Sequence, residues 1–365
     1  MSTLACGIIG LPNVGKSTLF NALTKKGALA ANFPFCTIDP NLGIVDVPDP
    51  RLQVLSDLSH SQKIVPASVT FVDIAGLVAG ASKGEGLGNL FLSNIRETDA
   101  IIHVVRCFED EEVIHIAGRV DPLSDIRIIN LELILADLQM GENLLGKLER
   151  QAKGKKELIP LVETLQKAVS HLNEEKPLRT LLLTEEEQRH LFPYPFLTSK
   201  RVIYVANVSE RSLPSMDNAS VQAVRAFAEK EGNRVLALSA KLEEELAGLT
   251  EEEARSYLES IGLRETGLDR LITEAFATLD LITFLTTGEL ETRAWTIKRG
   301  TTAQEAAGKI HTDIQKGFIR AEVVFYEDMI TYKGRVGAKE AGKARSEGKE
   351  YVVKDGDVIL FYHHS

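Results

Sequence analysis

The chain has only three cysteines, Cys6, Cys36 and Cys107, in 365 residues, and they stand far apart with no C-x-x-C pair. That excludes a disulfide framework or a thiolate zinc site as an organising device and points to a reducing compartment, the cytoplasm. No apolar run approaches the roughly 20 residues that span a bilayer. The N-terminus has no basic segment before its first apolar stretch, so neither a membrane anchor nor a secretory leader is expected. A basic excess is also lacking: 42 Lys and Arg stand against 52 Asp and Glu, a net charge of −10. Indiscriminate binding of nucleic acid by the whole surface is thereby excluded. The deficit is uneven, because from Ile282 onward 13 basic residues face 12 acidic ones, and residues 1–281 hold essentially all the acidity. Any contact with RNA is confined to patches.

What is present is an ordinary globular composition, 44% hydrophobic and 26% charged, and a length sufficient for two or three domains. Directly after the apolar run Leu4–Ile9 comes Gly10-Leu11-Pro12-Asn13-Val14-Gly15-Lys16-Ser17, a complete G-x-x-x-x-G-K-S phosphate loop, followed by a helical pattern from Thr18. In such a loop successive backbone N–H groups face the phosphates, Lys16 adds a point charge, and the Ser17 hydroxyl is placed to ligate Mg²⁺. Asn13, Val14, Gly15, Lys16, Ser17 and Thr18 are therefore candidate nucleotide-binding residues.

Short β-rich runs recur at Leu4–Ile9, Gly43–Val47, Val69–Val72, Ile101–Val105, Arg201–Ala206 and Arg234–Leu238, most separated by helical or glycine-rich segments. This alternation predicts an α/β fold with a mostly parallel sheet and helices on both faces, whose ligands bind at the carboxyl ends of the strands. From Ser124 to about Leu172 the strand signal stops. Leu131, Ile134/Leu135, Leu138, Leu145 and Leu148 make one helical stripe, and Leu158, Leu161/Val162, Leu165, Val169 and Leu172 make a second. An inserted antiparallel helical hairpin is expected over 124–198, its tip carrying Lys147, Arg150, Lys153, Lys155 and Lys156. Such a tip suits phosphate contact, although a charge run there also fits simple solvation. The parts flanking it, 1–123 and 199–281, form the nucleotide-binding domain. Strands at Thr292–Ile297, Ala321–Phe325 and Val358–Tyr362 around a helix at Thr302–His311 make 282–365 a small α+β module.

Asp73-Ile74-Ala75-Gly76 follows a strand, where P-loop proteins place a carboxylate that orients Mg²⁺ through water and a glycine whose N–H meets the γ-phosphate. Thr37, in Asn32-Phe33-Pro34-Phe35-Cys36-Thr37, is the candidate second hydroxyl ligand of Mg²⁺. Together these residues resemble the translation-factor-like GTPases and, within them, the YchF subfamily of Obg-related proteins, the Obg-like ATPases. The same resemblance extends to Gly84-Glu-Gly-Leu-Gly88, Asn94-Ile-Arg-Glu97, Arg293-Ala-Trp295, Phe318-Ile-Arg-Ala-Glu322 and Asp355-Gly-Asp-Val358. It implies a Ras-like domain, an inserted coiled-coil arm and a C-terminal TGS domain, with ATP as the favoured substrate and the ribosome or its RNA as partner. A monomer is favoured.

Two departures from an ordinary GTPase stand out. A guanine reader uses Asn-Lys-x-Asp, whose aspartate takes two hydrogen bonds from N1–H and N2–H; here Asn207-Val208-Ser209-Glu210 lacks the lysine and carries a carboxylate one methylene longer. Adenine is then the expected base, with Asn207 and Val208 able to contact it and Ser239-Ala240-Lys241 as the opposite wall. Glu210 could instead be a solvated carboxylate that reads no base, or the chain could still be a GTPase reading guanine through it. The second departure is Leu77, which occupies the place of the glutamine that orients the attacking water in Ras-type enzymes. Asn13, where K⁺-activated relatives place a cation ligand, and His115 are the candidate replacements, although a lone histidine also fits a structural role. Gly76, Gly80, Gly84, Gly86 and Gly88 suit a switch loop rather than a dinucleotide fingerprint. A nucleotide-gated binding module with incidental turnover is the remaining alternative.

Overall fold

The computed structural model describes residues 4–30, 41–74, 87–109 and 120–364. Thr37, Gly76, Leu77, Gly80, Gly84, Gly86 and His115 lie outside the described residues. The chain divides into two compact units, Met1–Gly43 with Thr70–Leu271, and Ile44–Val69 with Ile272–Ser365. In chain order the elements run β1 (Ala5–Ile9), α1 (Lys16–Ala30), β2 (Leu42–Asp46), α2 (Pro50–Ser59), β3 (Ile64–Val65), β4 (Ser68–Asp73), α3 (Leu87–Arg96), β5 (Ala100–Arg106), α4 (Pro122–Ala152), α5 (Ile159–Asn173) and α6 (Glu185–Leu191). They continue as β6 (Arg201–Asn207), α7 (Ala219–Glu231), β7 (Arg234–Leu238), α8 (Ala240–Leu246), α9 (Glu251–Ser260), α10 (Gly267–Thr278), β8 (Leu281–Thr287), β9 (Thr292–Lys298), α11 (Ala303–Ile310), α12 (Thr312–Lys316), β10 (Phe318–Val324), α13 (Tyr326–Thr331), α14 (Arg335–Glu340), β11 (Arg345–Glu347) and β12 (Val358–His363).

The first sheet has the order β2-β4-β1-β5-β6-β7, and from β4 to β7 every pairing is parallel. Its centre is buried on both faces: all of β1 and β5, and β6 from Val202 onward, are buried. Continuous apolar runs of this kind can only sit between two helical layers, which is the α/β architecture the sequence predicts.

The inserted hairpin leaves this sheet after β5. Asp121 caps α4 by accepting from Ser124 N, with Pro122 in the first turn where its missing N–H costs nothing. α4 packs on α5 antiparallel, Gly141 lying beside Val169 and Gln166 donating to Glu149 at 3.0 Å. The shared core holds Ile134, Leu148, Val162, Leu165, Ala168 and Leu172. Leu131 and Leu135, expected in that stripe, are 39% exposed. The reason is that the first half of α4 also packs on β5 and α7 and buries Ile126, Ile129 and Leu133 instead. Asp137 anchors the returning chain: wholly buried, it accepts from Leu197 N (2.8 Å), Thr198 N (2.7 Å) and Thr198 Oγ1 (2.7 Å), and burial pushes its carboxyl upward.

In the second unit the sheet order is β11-β10-β12-β8-β9-β3. The three strands and the helix expected in 282–365 are there, joined by β8, β11, α12, α13 and α14. The second unit also takes in 44–69, a segment expected in the nucleotide-binding domain, because its helix and short strand pack on the second sheet. β3 pairs with β9, Thr292 N donating to Lys63 O at 2.9 Å, and α2 buries Leu52 and Leu55. Arg51 bonds Asp49 at 2.8 Å and Asp355 at 2.9 Å, while Asp355 accepts from Thr283 N at 2.9 Å. Among the described residues no helix is long and apolar enough to cross a membrane.

Candidate nucleotide-binding site

The phosphate loop leaves the carboxyl end of β1 at Gly10 and enters α1 at Lys16. Two of its residues have a left-handed backbone, Asn13 at φ 64° and Gly15 at φ 94°. Asparagine tolerates that region, whereas a β-carbon at Gly15 would also run into the Asn207 side-chain amide. At Gly10 a β-carbon would lie 2.8 Å from Val14 Cγ2 and 2.9 Å from Val104 O. Both glycines of the motif are therefore demanded by close approach, and the loop's shape is set by its backbone. The first turn of α1 carries no acidic residue, so the positive end of its dipole is left to an external anion.

Asp73 is brought to this loop by the parallel register of β4 on β1, in which Ile8 lies opposite Asp73 and Ile74 N donates to Ile8 O at 3.1 Å. Its carboxylate forms an ion pair with the Lys16 ammonium. Ser17 and Asn13 are exposed at the loop surface, Thr18 is half-buried, and Val14 is buried. A hydroxyl and a carboxylate are hard oxygen donors of the kind Mg²⁺ selects, so Ser17 and Asp73 fit a magnesium site. Among the described residues no group of three or more His, Cys, Asp or Glu side chains forms a metal cluster.

The candidate base end lies at the carboxyl ends of β6 and β7. Asn207 is buried; its Nδ2 donates to Val14 O at 2.9 Å and its Oδ1 accepts from Ala240 N at 2.9 Å. One side chain thus joins the phosphate loop to the start of α8. Val208 is buried, with its N–H on Leu238 O at 2.9 Å, and cannot cover a base as a lysine stem would. Ser239, also buried, caps α8 by accepting from Leu242 N. Glu243, buried in α8, accepts from Gly267 N at 2.6 Å and Leu268 N at 3.2 Å, tying α8 to the start of α10; burial raises its carboxyl above the usual range. Outward from this frame reach Glu210, in the first turn after Ser209, and Lys241, whose Nζ lies 3.6 Å from Glu210 Oε2.

Behind β6, Tyr204 packs on His103 of β5 with ring centroids 5.5 Å apart and donates to Glu231 at 3.0 Å. Burial, aided by the nearby charge of Arg179, pushes the His103 imidazole down to about 3.

The structure therefore brings Lys16, Ser17 and Asp73 together at one end and Asn207, Val208, Glu210, Ser239 and Ala240 at the other. Motif spacing alone does not show that Asn207 is spent on joining the phosphate loop to α8, or that Glu210 has a partner in Lys241. An asparagine ending a buried strand and the Ser-Ala following the next strand were the available signals for the first.

A phosphate loop between a central parallel strand and its helix, with a carboxylate at the end of the adjacent strand, defines a P-loop nucleotide-binding protein of the GTPase class. Residues 5–133 match the family described as "50S ribosome-binding GTPase", and 281–364 match the YchF-type GTPase C-terminal family, described as "Protein of unknown function (DUF933)". The chain is 53% identical over 360 residues to the "Ribosome-binding ATPase YchF" of Bacillus subtilis (strain 168), covering 98% of each chain. Against the protein of the same name in Escherichia coli O157:H7 it is 53% identical over 357 residues, again 98% of each. The solved structure of the Schizosaccharomyces pombe YchF GTPase superposes with a TM-score of 0.90 at 38% identity, covering 99% of this chain and 98% of that one. This chain belongs to the YchF family.

Proposed function

We propose that the protein is a magnesium-dependent ATPase that hydrolyses ATP slowly by in-line attack of water and uses the bound nucleotide to set how its arm and C-terminal TGS module engage the ribosome or its RNA. The observation that carries this reading is the pairing of Lys16 with Asp73 beside the exposed Ser17 hydroxyl, in a chain 53% identical along 98% of its length to proteins called ribosome-binding ATPases. In this reading the Lys16 ammonium exchanges Asp73 for the β- and γ-phosphate oxygens, and the loop N–H groups hold the same oxygens. Ser17 and Thr37 would ligate the metal, Asp73 would orient a water bound to it, and Gly76 N–H would meet the γ-phosphate. A magnesium ion bound there would neutralise charge developing on the β- and γ-oxygens.

Within 1–123 and 199–281 this chemistry is carried by the parts outside 44–69, which joins the second unit; 124–198 is the arm and 282–365 the TGS module. The basic tip at Lys147, Arg150, Lys153, Lys155 and Lys156 meets phosphate, and the protein works as a cytoplasmic monomer. Water is positioned without a glutamine, by His115 or by charge from a K⁺ ion on Asn13; replacing K⁺ with Na⁺ slows turnover in the second case and leaves it unchanged in the first.

Adenine preference follows from the absence of a lysine at Val208 and from the longer reach of Glu210. A GTPase reading keeps support from the matched family and the fission-yeast structure, both named for GTP. Competition between ATP and GTP at saturating Mg²⁺ decides: ATP is expected to win, and a tenfold preference for GTP would overturn the ATPase reading. Co-sedimentation with ribosomes tests the switch. Binding should change with nucleotide in the wild type and lose that dependence in Lys16→Ala; equal binding in every state would leave a nucleotide site without a switch.

A further inference from the structure

We propose that Lys241 is a positioning residue for base selection, acting by holding Glu210. The inference rests on the reading of the 207–210 and 239–241 segments as the base site. Asn207 fixes these two segments side by side through Val14 O and Ala240 N, each at 2.9 Å. Val208, Ser239 and Ala240 are buried within that frame, so the ionisable groups it presents outward are the Glu210 carboxylate and the Lys241 ammonium. They face each other: Nζ lies 3.6 Å from Oε2, with 71% of the lysine side chain and 38% of the glutamate exposed.

The chemistry of the two purines makes this pair selective. Guanine offers adjacent N1–H and N2–H donors, and reading both on one carboxylate requires both oxygens. An ammonium on Oε2 competes for one of them. Adenine has a single exocyclic donor group on that edge, which Oε1 can accept while Lys241 stays on Oε2. Lys241 therefore weakens guanine binding and leaves adenine binding nearly untouched. Because the pair is solvent-exposed, the effect is modest, about threefold, as befits an exposed ion pair.

The test is titration of wild type, Lys241→Met, Lys241→Arg, Glu210→Gln and the Lys241→Met/Glu210→Gln double variant with ATP and with GTP, alongside thermal melts. Lys241→Met should tighten GTP about threefold with little change in ATP, and Lys241→Arg, which keeps the cation, should match wild type. In the Glu210→Gln background the methionine should have no effect on the ATP-to-GTP ratio. A ratio unmoved by Lys241→Met, or moved equally with and without the Glu210 carboxylate, overturns the inference. A wild type that prefers GTP overturns the ATPase reading, and in that case the Lys241 arm still decides this inference, since the predicted gain in GTP affinity does not depend on which nucleotide wins.

Discussion

The phosphate end and the candidate base end of this site are built by opposite means. At the phosphate end the backbone makes the site: two left-handed residues, two glycines with no room for a β-carbon, and the start of α1. At the base end a buried asparagine makes the frame, and two exposed side chains finish it. A backbone-made anion site has few tolerated variants, because any side chain that changes the loop also changes its hydrogen-bond donors. A frame finished by exposed side chains can exchange them with little cost in stability, so Glu210 and Lys241 can change while the frame held by buried Asn207 stays intact.

The largest expected effect is at the boundary of the two ends. Gly15→Ala forces a β-carbon onto the Asn207 amide at φ 94°. Nucleotide affinity should fall about 100-fold, the equivalent of about 3 kcal/mol of loop strain. Affinity within tenfold of wild type would mean that side chains, not the backbone, shape the phosphate end. Next is Asn207→Ala, which leaves the Val14 carbonyl and the Ala240 N–H without their partner in a buried place. Chemical denaturation should show a loss of about 2–3 kcal/mol, against under about 0.5 kcal/mol for Glu210→Ala at the exposed rim. Equal losses would erase the distinction between frame and finish.

The smallest effect concerns the support behind β6. His103 stays neutral in the native chain down to about pH 3, while the unfolded chain takes up the proton near 6.5. The unfolded state then binds more protons, so stability falls as pH drops below 6.5, by about 2 kcal/mol on reaching pH 5. Melting curves at pH 7 and pH 5 measure it, and His103→Leu should flatten that part of the dependence. An unchanged slope in the variant would place the acid sensitivity elsewhere.

Much of the fold was legible because its signals are local. Four-residue and longer apolar runs at β1, β4, β5, β6 and β7 were visible to within about two residues. The hairpin was visible because Pro160 can begin a helix and Lys153–Lys156 cannot carry an apolar stripe. Hidden were features whose partners are distant in sequence. β3 is two residues long and exists only because Ile64 and Val65 lie against Thr292 and Arg293. Leu131 and Leu135 repeat as core residues should, yet contacts with β5 and α7 rotate the buried face of α4 away from them. At the phosphate end, motif and strand placement name Lys16 and Asp73, which the structure pairs. At the base end the same motif comparison named Asn207 and Glu210 but gave no way to see that one is consumed by the frame and the other held by Lys241.

The membership of 44–69 in the second unit has a consequence for biosynthesis. Arg51 finds Thr283 across 232 residues of chain and Asp355 across 304. A nascent chain made from its N-terminus therefore carries α2 and the future β3 edge through most of its synthesis without the sheet that receives them. Leu52 and Leu55 wait uncovered until β8 and β9 emerge, and Arg51 waits for Asp355, near the last strand. The first sheet, with its parallel crossovers complete by β7, can assemble well before that. The second unit is the last part of the molecule to close, and its closure depends on a segment made early, directly after residues 1–43.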